Sequence, residues 1–293
     1  MSFDLDGYLA RQRARVEAAL VRVVEDGAAP ARLREAIGYS LLDGGKRLRP
    51  ILVLASCEAV GGQAETALPA ACALEMIHTY SLVHDDLPCM DNDDFRRGRP
   101  TSHRKYGEAL AVLVGDALLT DAFSVAAQAQ APAAVVIAVL QELAQAAGSG
   151  GMVGGQVLDV ELTGKSVGLE ELTQLHRLKT GALLRAAVRT GALLGGASAD
   201  SLERLTRFGE ALGLAFQIID DVLDVTADLQ TLGKDPGSDR DAGKTTFVNL
   251  LGVDGAQRHA QAVMARGLEA LAPLGEAAEP LRALGRYTVD RKH

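Results

Sequence analysis

Two clusters of aspartate residues have the types and spacing that most directly indicate chemistry in this sequence. Five carboxylates fall within the ten residues 85–94, and Asp220, Asp221 and Asp224 form a second group at the end of an apolar segment. Like charges this close repel one another unless a cation intervenes, and carboxylate oxygens suit Mg²⁺ or Mn²⁺. Asp220 and Asp224 are four residues apart and so share one helix face. The first cluster alone is equally typical of a solvated acidic loop, but the two clusters together predict a divalent metal site.

Short groups of basic residues beside glycines are the second feature. Glycine lets the backbone approach a ligand closely, arginine can hold phosphate oxygens in bidentate fashion, and lysine supplies a compact charge. Each group alone is typical of a surface turn, but together with two aspartate clusters they predict a polyanionic ligand, for which diphosphate is the obvious candidate. A P-loop is excluded because the motif GxxxxGK[ST] does not occur. The basic groups lie in residues 44–50, 96–100, 179–181, 233–235 and 243–245.

The composition limits the classes of function. The 293 residues carry 30 basic and 38 acidic side chains, a net charge of −8, which argues against binding nucleic acid through a basic surface. Three cysteines without CxxC spacing indicate neither a disulfide framework nor a zinc site. The acidic N-terminus lacks the pattern of an export signal, and the longest apolar run, residues 131–140, is too short to cross a bilayer. We therefore expect a cytoplasmic protein with no membrane span.

The elements that must position these residues are predicted to be helices. Apolar residues recur at steps of three and four, and alternating β-branched patterns are missing. Short glycine-rich breaks separate the predicted helices without a shift in composition, which favours one domain over residues 1–293. The predicted helices are Ala10–Val24, Ala31–Asp43, Ile51–Val60, Thr66–Asp86, Glu108–Gln128, Ala133–Ala147, Leu169–Leu194 and Ser201–Thr226.

Three motifs, in combination and order, resemble those of the trans-isoprenyl diphosphate synthases. They are Gly44–Pro50, Asp85–Asp91 with the following Arg96-Arg97-Gly98, and Phe216–Asp224. Within that family the sequence is most similar to the bacterial farnesyl diphosphate synthases. The resemblance implies an all-α, single-domain bundle of antiparallel helices around a deep central cavity, the isoprenoid synthase fold. It also implies a homodimer.

The resemblance assigns metal-binding roles to the two aspartate clusters. Asp85, Asp91 and Asp220 are implied to bind Mg²⁺, with Asp86 and Asp224 in supporting or water-mediated roles. The pattern of the family is three ions per active site, and Mn²⁺ is a possible substitute.

Two diphosphate subsites are implied beside these metal ions. A lone histidine on an apolar helix is usually a core residue, but His78 lies seven residues, or two helical turns, before Asp85 and so on the same face. The residues implied to hold the allylic diphosphate are Arg96, Lys179, Thr180, Gln217, Lys234 and Lys244. Those implied to hold isopentenyl diphosphate are Gly45, Lys46, Arg49, His78 and Arg97.

The reaction implied is ionisation of dimethylallyl or geranyl diphosphate, attack by the double bond of isopentenyl diphosphate, and loss of a proton. Tyr80 and Ser81, five and four residues before Asp85, are implied to set the product length. Tyr80 would form the floor about 7.5 Å down the cavity wall, as in synthases that make the C15 product, farnesyl diphosphate.

A geranylgeranyl (C20) synthase is the main alternative. A terpene cyclase needs only one diphosphate site, and non-catalytic synthase subunits tend to lose an aspartate motif, so both are less favoured.

Overall fold

Helices form nearly all the regular structure of residues 3–226 and 244–291, the part of the chain that the computed structural model describes. Strands β1 (Phe95–Arg96) and β2 (Arg99–Pro100) pair as a small antiparallel hairpin, with Arg96 opposite Arg99. The all-α fold class is therefore confirmed. The α-helices are α1 (Leu5–Glu25), α2 (Ala31–Leu41), α3 (Leu48–Ala59), α4 (Ala64–Asp85), α5 (Ser102–Tyr106), α6 (Glu108–Ala126), α7 (Ala133–Ala147), α8 (Met152–Leu162), α9 (Leu169–His176), α10 (Ala182–Leu194), α11 (Ala199–Thr226), α12 (Phe247–Ala270) and α13 (Glu279–Asp290).

Helices α3, α4 and α10 pack against one another at the centre of the bundle, and α11 packs on α10. α4 is rich in alanine and leucine and is buried on most of its circumference, as expected of a helix that is apolar all round. Small residues allow close crossings between these helices. At Gly191 of α10 an added Cβ would lie 2.0 Å from the carbonyl oxygen of Val53 in α3, so a larger residue would push the two helices apart.

The structure differs from the predicted helices in two ways: one predicted helix is interrupted, and some helices were not predicted. The predicted helix Leu169–Leu194 is interrupted by a π turn, Arg177–Gly181, between α9 and α10. Helices α5, α8, α12 and α13 are additional. α8 follows the glycines of residues 148–151, and its own two glycines weaken its pattern. Hydrophobic periodicity does not distinguish a wider π turn from a continuous α-helix, so the sequence gives no sign of this interruption.

Two apolar stretches are longer than the run of residues 131–140. By length and composition alone, Glu108–Ala126 and Ala133–Leu162 meet the criteria for membrane-spanning helices, although 39% and 28% of their apolar windows are buried within the fold. The expectation of no membrane span rested on the shorter run 131–140 and stays a prediction. Core helices of soluble proteins also meet these criteria, so two such stretches are weak grounds for a membrane assignment.

Candidate active site

The first aspartate cluster lies where α4 ends and the chain turns back. Asp85 is the last residue of α4, and its carbonyl oxygen accepts a hydrogen bond from the backbone N–H of Asp91 at 2.9 Å. Burial raises the pKa of Asp85 to about 6, while the Lys179 ammonium opposes this shift and Asp91 adds to it. A cation bound beside Asp85 and Asp91 would therefore offset a repulsion that the fold itself creates.

The second aspartate of each cluster is held by the protein. Asp86 is buried and accepts Arg96 Nε at 2.9 and 3.1 Å and Arg96 Nη2 at 2.6 Å. Asp221 is also buried, and it accepts the backbone N–H of Phe247 at 2.7 Å and Gln217 Nε2 at 3.2 Å. These two carboxylates fix Arg96 and the start of α12 in position. The metal-binding role of Asp86 stays a prediction.

Asp220 faces a cationic group from the C-terminal end of the described chain. Arg291 Nη2 donates to Asp220 Oδ1 at 2.5 Å and to the carbonyl oxygen of Phe216 at 2.9 Å, and the guanidinium lies 4.2 Å from the centre of the Phe216 ring. Burial lowers the pKa of both Lys46 and Arg49, and the Asp220 carboxylate opposes the shift in each case. The second cluster therefore interacts with residues that are implied to hold isopentenyl diphosphate.

Residues implied to bind the allylic diphosphate converge from three elements. Lys179 in the π turn and Lys244 just before α12 both donate to Asp159 Oδ2, at 2.6 and 3.2 Å. Thr180 Oγ1, also in the π turn, donates to Gln217 Oε1 of α11 at 3.0 Å. Lys179, Lys244 and Gln217 line one cavity of about 100 Å³. Asp159 was not among the predicted site residues.

The residues implied to hold isopentenyl diphosphate surround the turn before α3. Gly45 has a φ of 110°, and an added Cβ would lie 2.9 Å from the guanidinium carbon of Arg97, so glycine permits this contact. Arg97 Nη1 donates to the carbonyl oxygen of Gly44 at 2.8 Å. Within the described chain, the buried Nε of Arg49 has no hydrogen-bond partner and is a donor suited to an anion. Burial is the main cause that holds the pKa of His78 well below its usual range, and the positive charge of Arg49 is the second. His78 is therefore neutral at pH 7.

A buried ion pair holds this turn against α4. Arg47 has a left-handed φ of 49°, and its Nη1 lies 2.7 Å from Glu75 Oε1 while its Nη2 donates to the carbonyl oxygen of Leu41 at 2.9 Å. The side chains of Arg47 and Glu75 are only 2% and 5% exposed. Glu75 lies three residues before His78 on α4. The pair therefore ties the turn to the helix that carries His78.

Replacing Glu75 with alanine is expected to destabilise the protein by about 3–5 kcal/mol, because it removes the close carboxylate of the buried Arg47 guanidinium and leaves only the partly exposed Glu17, 3.9 Å from Arg47 Nε. Urea denaturation followed by circular dichroism measures the free energy of unfolding. Glu65→Ala is the matched control, since Glu65 lies on the same helix but forms an exposed pair with Arg15 at 3.3 Å and should cost less than about 1 kcal/mol. Equal costs for the two variants would contradict this role.

Tyr80 and Ser81 lie near the C-terminal end of α4. Tyr80 is 6% exposed, and its ring meets the ring of His84 edge-on, with 5.7 Å between centroids. His84 Nε2 forms a hydrogen bond with the carbonyl oxygen of Val112 in α6 at 3.0 Å. Ser81 Oγ donates within the helix to the carbonyl oxygen of His78 at 2.8 Å. The Tyr80 ring thus packs against His84, which is itself hydrogen-bonded to α6, just before the first aspartate cluster.

The aspartates fit a divalent cation whose other ligands come from a bound anion. Within the described part of the chain, no three His, Cys, Asp or Glu side chains form a group that could hold an ion by themselves. Mg²⁺ often binds through one or two carboxylates plus substrate phosphates. Asp85 and Asp91 would supply the carboxylate ligands of such an ion, and the phosphates of a bound substrate would supply the others. Asp224 is partly buried one turn beyond Asp220, and Lys234 lies outside the described residues.

Known proteins match the chain in both sequence and fold. The family described as Polyprenyl synthetase matches residues 30–275. The chain is 50% identical over 295 residues to a dimethylallyltranstransferase of Fischerella ambigua, covering 100% of this chain and 85% of that protein. It is 48% identical over 257 residues to a farnesyl diphosphate synthase of Geobacillus stearothermophilus, covering 87% and 86%. The crystal structure of a geranylgeranyl pyrophosphate synthetase from Pyrococcus horikoshii superposes with a TM-score of 0.90 at 33% identity, covering 98% and 99%.

Proposed function

As a member of the polyprenyl synthetase family this chain is a prenyltransferase, and we propose that it joins isopentenyl diphosphate to dimethylallyl and geranyl diphosphates to make farnesyl diphosphate. The observation that carries this proposal is the convergence of Lys179, Lys244 and Gln217 on one cavity, with Lys179 also acting on Asp85. The family uses a divalent metal to bind diphosphate. We propose three Mg²⁺ ions per site, with Mn²⁺ as a substitute, and a cytoplasmic location.

Charge supplies the driving force for the proposed ionisation. When bound, Mg²⁺ contributes positive charge that stabilises the diphosphate oxygens. Lys179, Lys244 and Arg96 add fixed positive charge around the same leaving group, so that the allylic C–O bond breaks to give an allylic cation and diphosphate. No nucleophilic side chain is required for this step.

Condensation joins the allylic cation to the second substrate. Lys46, Arg49 and Arg97 hold isopentenyl diphosphate so that its double bond attacks the allylic cation. The side-chain oxygens of Thr180 and Gln217, which are already hydrogen-bonded to each other, direct their dipoles at the cation. The released diphosphate then removes a proton from the condensed product, so the site needs no general base of its own.

Incubation of the purified chain with dimethylallyl and isopentenyl diphosphates tests the proposed function. We expect farnesyl diphosphate by chromatography, one diphosphate released for each condensation, and no product when EDTA removes the metal. A C20 main product would replace the C15 proposal with the geranylgeranyl alternative, since relatives of both kinds match the chain. A hydrocarbon made from farnesyl diphosphate alone would indicate a terpene cyclase, and no turnover would indicate a non-catalytic subunit.

We also propose that the protein is a homodimer joined through α6, α7 and α8. These helices carry exposed large apolar residues, and those on α8 recur at helical spacing along one face. Such a surface is typical of a protein–protein contact. The exposed apolar residues on these helices are Val112, Leu113, Ile137, Val153, Val157 and Val160.

Replacing Val157 with glutamate is expected to convert the dimer to a monomer, because it introduces a charge into the centre of the α8 face. Sedimentation velocity measures the change as a halved mass. Val21→Glu is the matched control, since Val21 is an exposed valine on α1 and its replacement should leave the mass unchanged. A wild-type protein that sediments as a monomer would contradict the proposed homodimer.

A further inference from the structure

Asp159 on α8 bridges two lysines that belong to distant parts of the chain. Its Oδ2 accepts Lys179 Nζ at 2.6 Å and Lys244 Nζ at 3.2 Å, and its side chain is only 12% exposed. Lys179 comes from the π turn, whereas Lys244 precedes α12. One carboxylate oxygen therefore sets the separation between two ammonium groups from different elements.

A glycine one helical turn earlier explains how α8 brings Asp159 this close. An added Cβ at Gly155 would lie 2.2 Å from the backbone nitrogen of Lys179 and 2.6 Å from its Cα, so α8 packs directly on the π turn at this point. Residues four apart share a helix face, and Asp159 therefore faces the same turn. The exposed Val153 and Val157 lie on the other side of α8.

The charges at this bridge depend on one another. Two ammonium groups within reach of one oxygen repel each other, and lysine has a flexible stem that does not hold a fixed position by itself. Burial alone would raise the pKa of Asp159. The charges of Lys179 and, to a smaller extent, Lys244 outweigh this effect and hold the pKa below its usual value. Asp159 is therefore ionised at neutral pH, and its charge offsets the repulsion between the lysines.

We propose that Asp159 is a positioning residue that holds Lys179 and Lys244 side by side to receive the allylic diphosphate. An ammonium has three N–H donors, so a lysine that gives one to Asp159 can give others to phosphate oxygens. Holding both lysines in advance reduces the conformational entropy that is lost when the anion binds. This inference rests on the proposed function, which assigns the two lysines to the allylic substrate.

The substitution Asp159→Asn tests the inference because it keeps the size of the side chain and removes its charge. We expect the KM for geranyl diphosphate to rise about tenfold or more, as is typical when the partner of a ligand-binding group is lost, while the KM for isopentenyl diphosphate stays within about twofold. Asp159→Glu keeps the charge and should restore most of the affinity for geranyl diphosphate. Asp254→Asn is the matched control, since it makes the same substitution at an exposed aspartate on α12 and should change neither constant.

Calorimetric titration with inorganic diphosphate and Mg²⁺ separates failure of this inference from failure of the proposed function. We expect Asp159→Asn to weaken this binding by about tenfold as well, whichever product the enzyme makes.

An active wild type with unchanged geranyl diphosphate KM in Asp159→Asn would overturn the inference and leave the function standing. A lower KM would also overturn it, because Asp159 would then compete with the substrate for the lysines. If Asp159→Asn does not fold, Asp159→Ser takes its place: a KM rise confined to geranyl diphosphate supports the inference, and an equal rise for both substrates, or no rise, contradicts it.

Discussion

Asp85→Asn and Asp220→Asn are each expected to lower kcat by about a thousandfold or more, because each removes a carboxylate from the site where charge on the leaving diphosphate must be neutralised. Asparagine has nearly the same shape but no negative charge to hold a divalent cation. Turnover of geranyl and isopentenyl diphosphates in excess Mg²⁺ measures this loss.

Neither substitution should unfold the protein. Burial raises the pKa of Asp85 to about 6, so the folded state is less favourable with this group ionised at pH 7, and a neutral amide removes that cost. Asp220 is 39% exposed, and Arg291 keeps its contacts with Phe216 when the carboxylate is lost. Far-ultraviolet circular dichroism is expected to match the wild type for both variants. Thermal denaturation is expected to match it for Asp85→Asn and to show a lower midpoint for Asp220→Asn, because the 7% exposed Arg291 side chain loses its carboxylate partner.

Asp94→Asn is the matched control for Asp85→Asn. Asp94 belongs to the same acidic run, but its side chain is 50% exposed and pairs with Arg104 at the surface. Surface pairs of this kind contribute little, so turnover should stay within about twofold of wild type. Wild-type turnover by Asp85→Asn or Asp220→Asn would contradict the metal assignment.

Tyr80→Ala is expected to change the main product from C15 to C20 or longer. Tyr80 lies five residues before Asp85 on α4 and is held edge-on against His84. Below it, Met76 and Cys72, one and two helical turns earlier, line a cavity of about 470 Å³. Removal of the ring would open space in that direction for a longer chain. Mass spectrometry of the hydrolysed products measures the change.

The control for product length is Tyr8→Ala. Tyr8 is as buried as Tyr80, but it donates to Glu58 at 2.6 Å between α1 and α3, away from the proposed floor. Its loss should lower stability and leave the product at C15. Unchanged product length in Tyr80→Ala would remove Tyr80 as the floor of the cavity.

The helical fold that the sequence predicted is confirmed, whereas residue type and spacing could not predict how the candidate site residues are arranged. Residue type and spacing are enough to indicate that Asp85 and Asp220 belong to a metal and diphosphate site, since few other roles suit two such clusters. They do not show that Asp86 and Asp221, the neighbours of these residues, are held by Arg96 and by the start of α12. Those contacts depend on tertiary packing, which no local pattern encodes.

The π turn and Asp159 show the same limit. Lys179 was predicted within a continuous helix because a π turn keeps the apolar pattern of its neighbours, although the wider turn places Lys179 against α8. Asp159 lies among valines and leucines with Glu161 two residues further on, and it has no motif of its own. The spacing of Gly155 and Asp159, one helical turn apart, is the signal that could have indicated a close helix contact with a charge beside it.

The central claim is that the two aspartate clusters act together on one diphosphate through divalent ions. Electron paramagnetic resonance of Mn²⁺, added with inorganic diphosphate, counts the bound ions in the wild type, Asp85→Asn and Asp220→Asn. We predict about three ions for each wild-type chain, in keeping with cations that take part of their coordination from phosphate oxygens, and a loss of bound ions in both variants. Binding in either variant that equals the wild type would show that the clusters act separately and would contradict the proposed site.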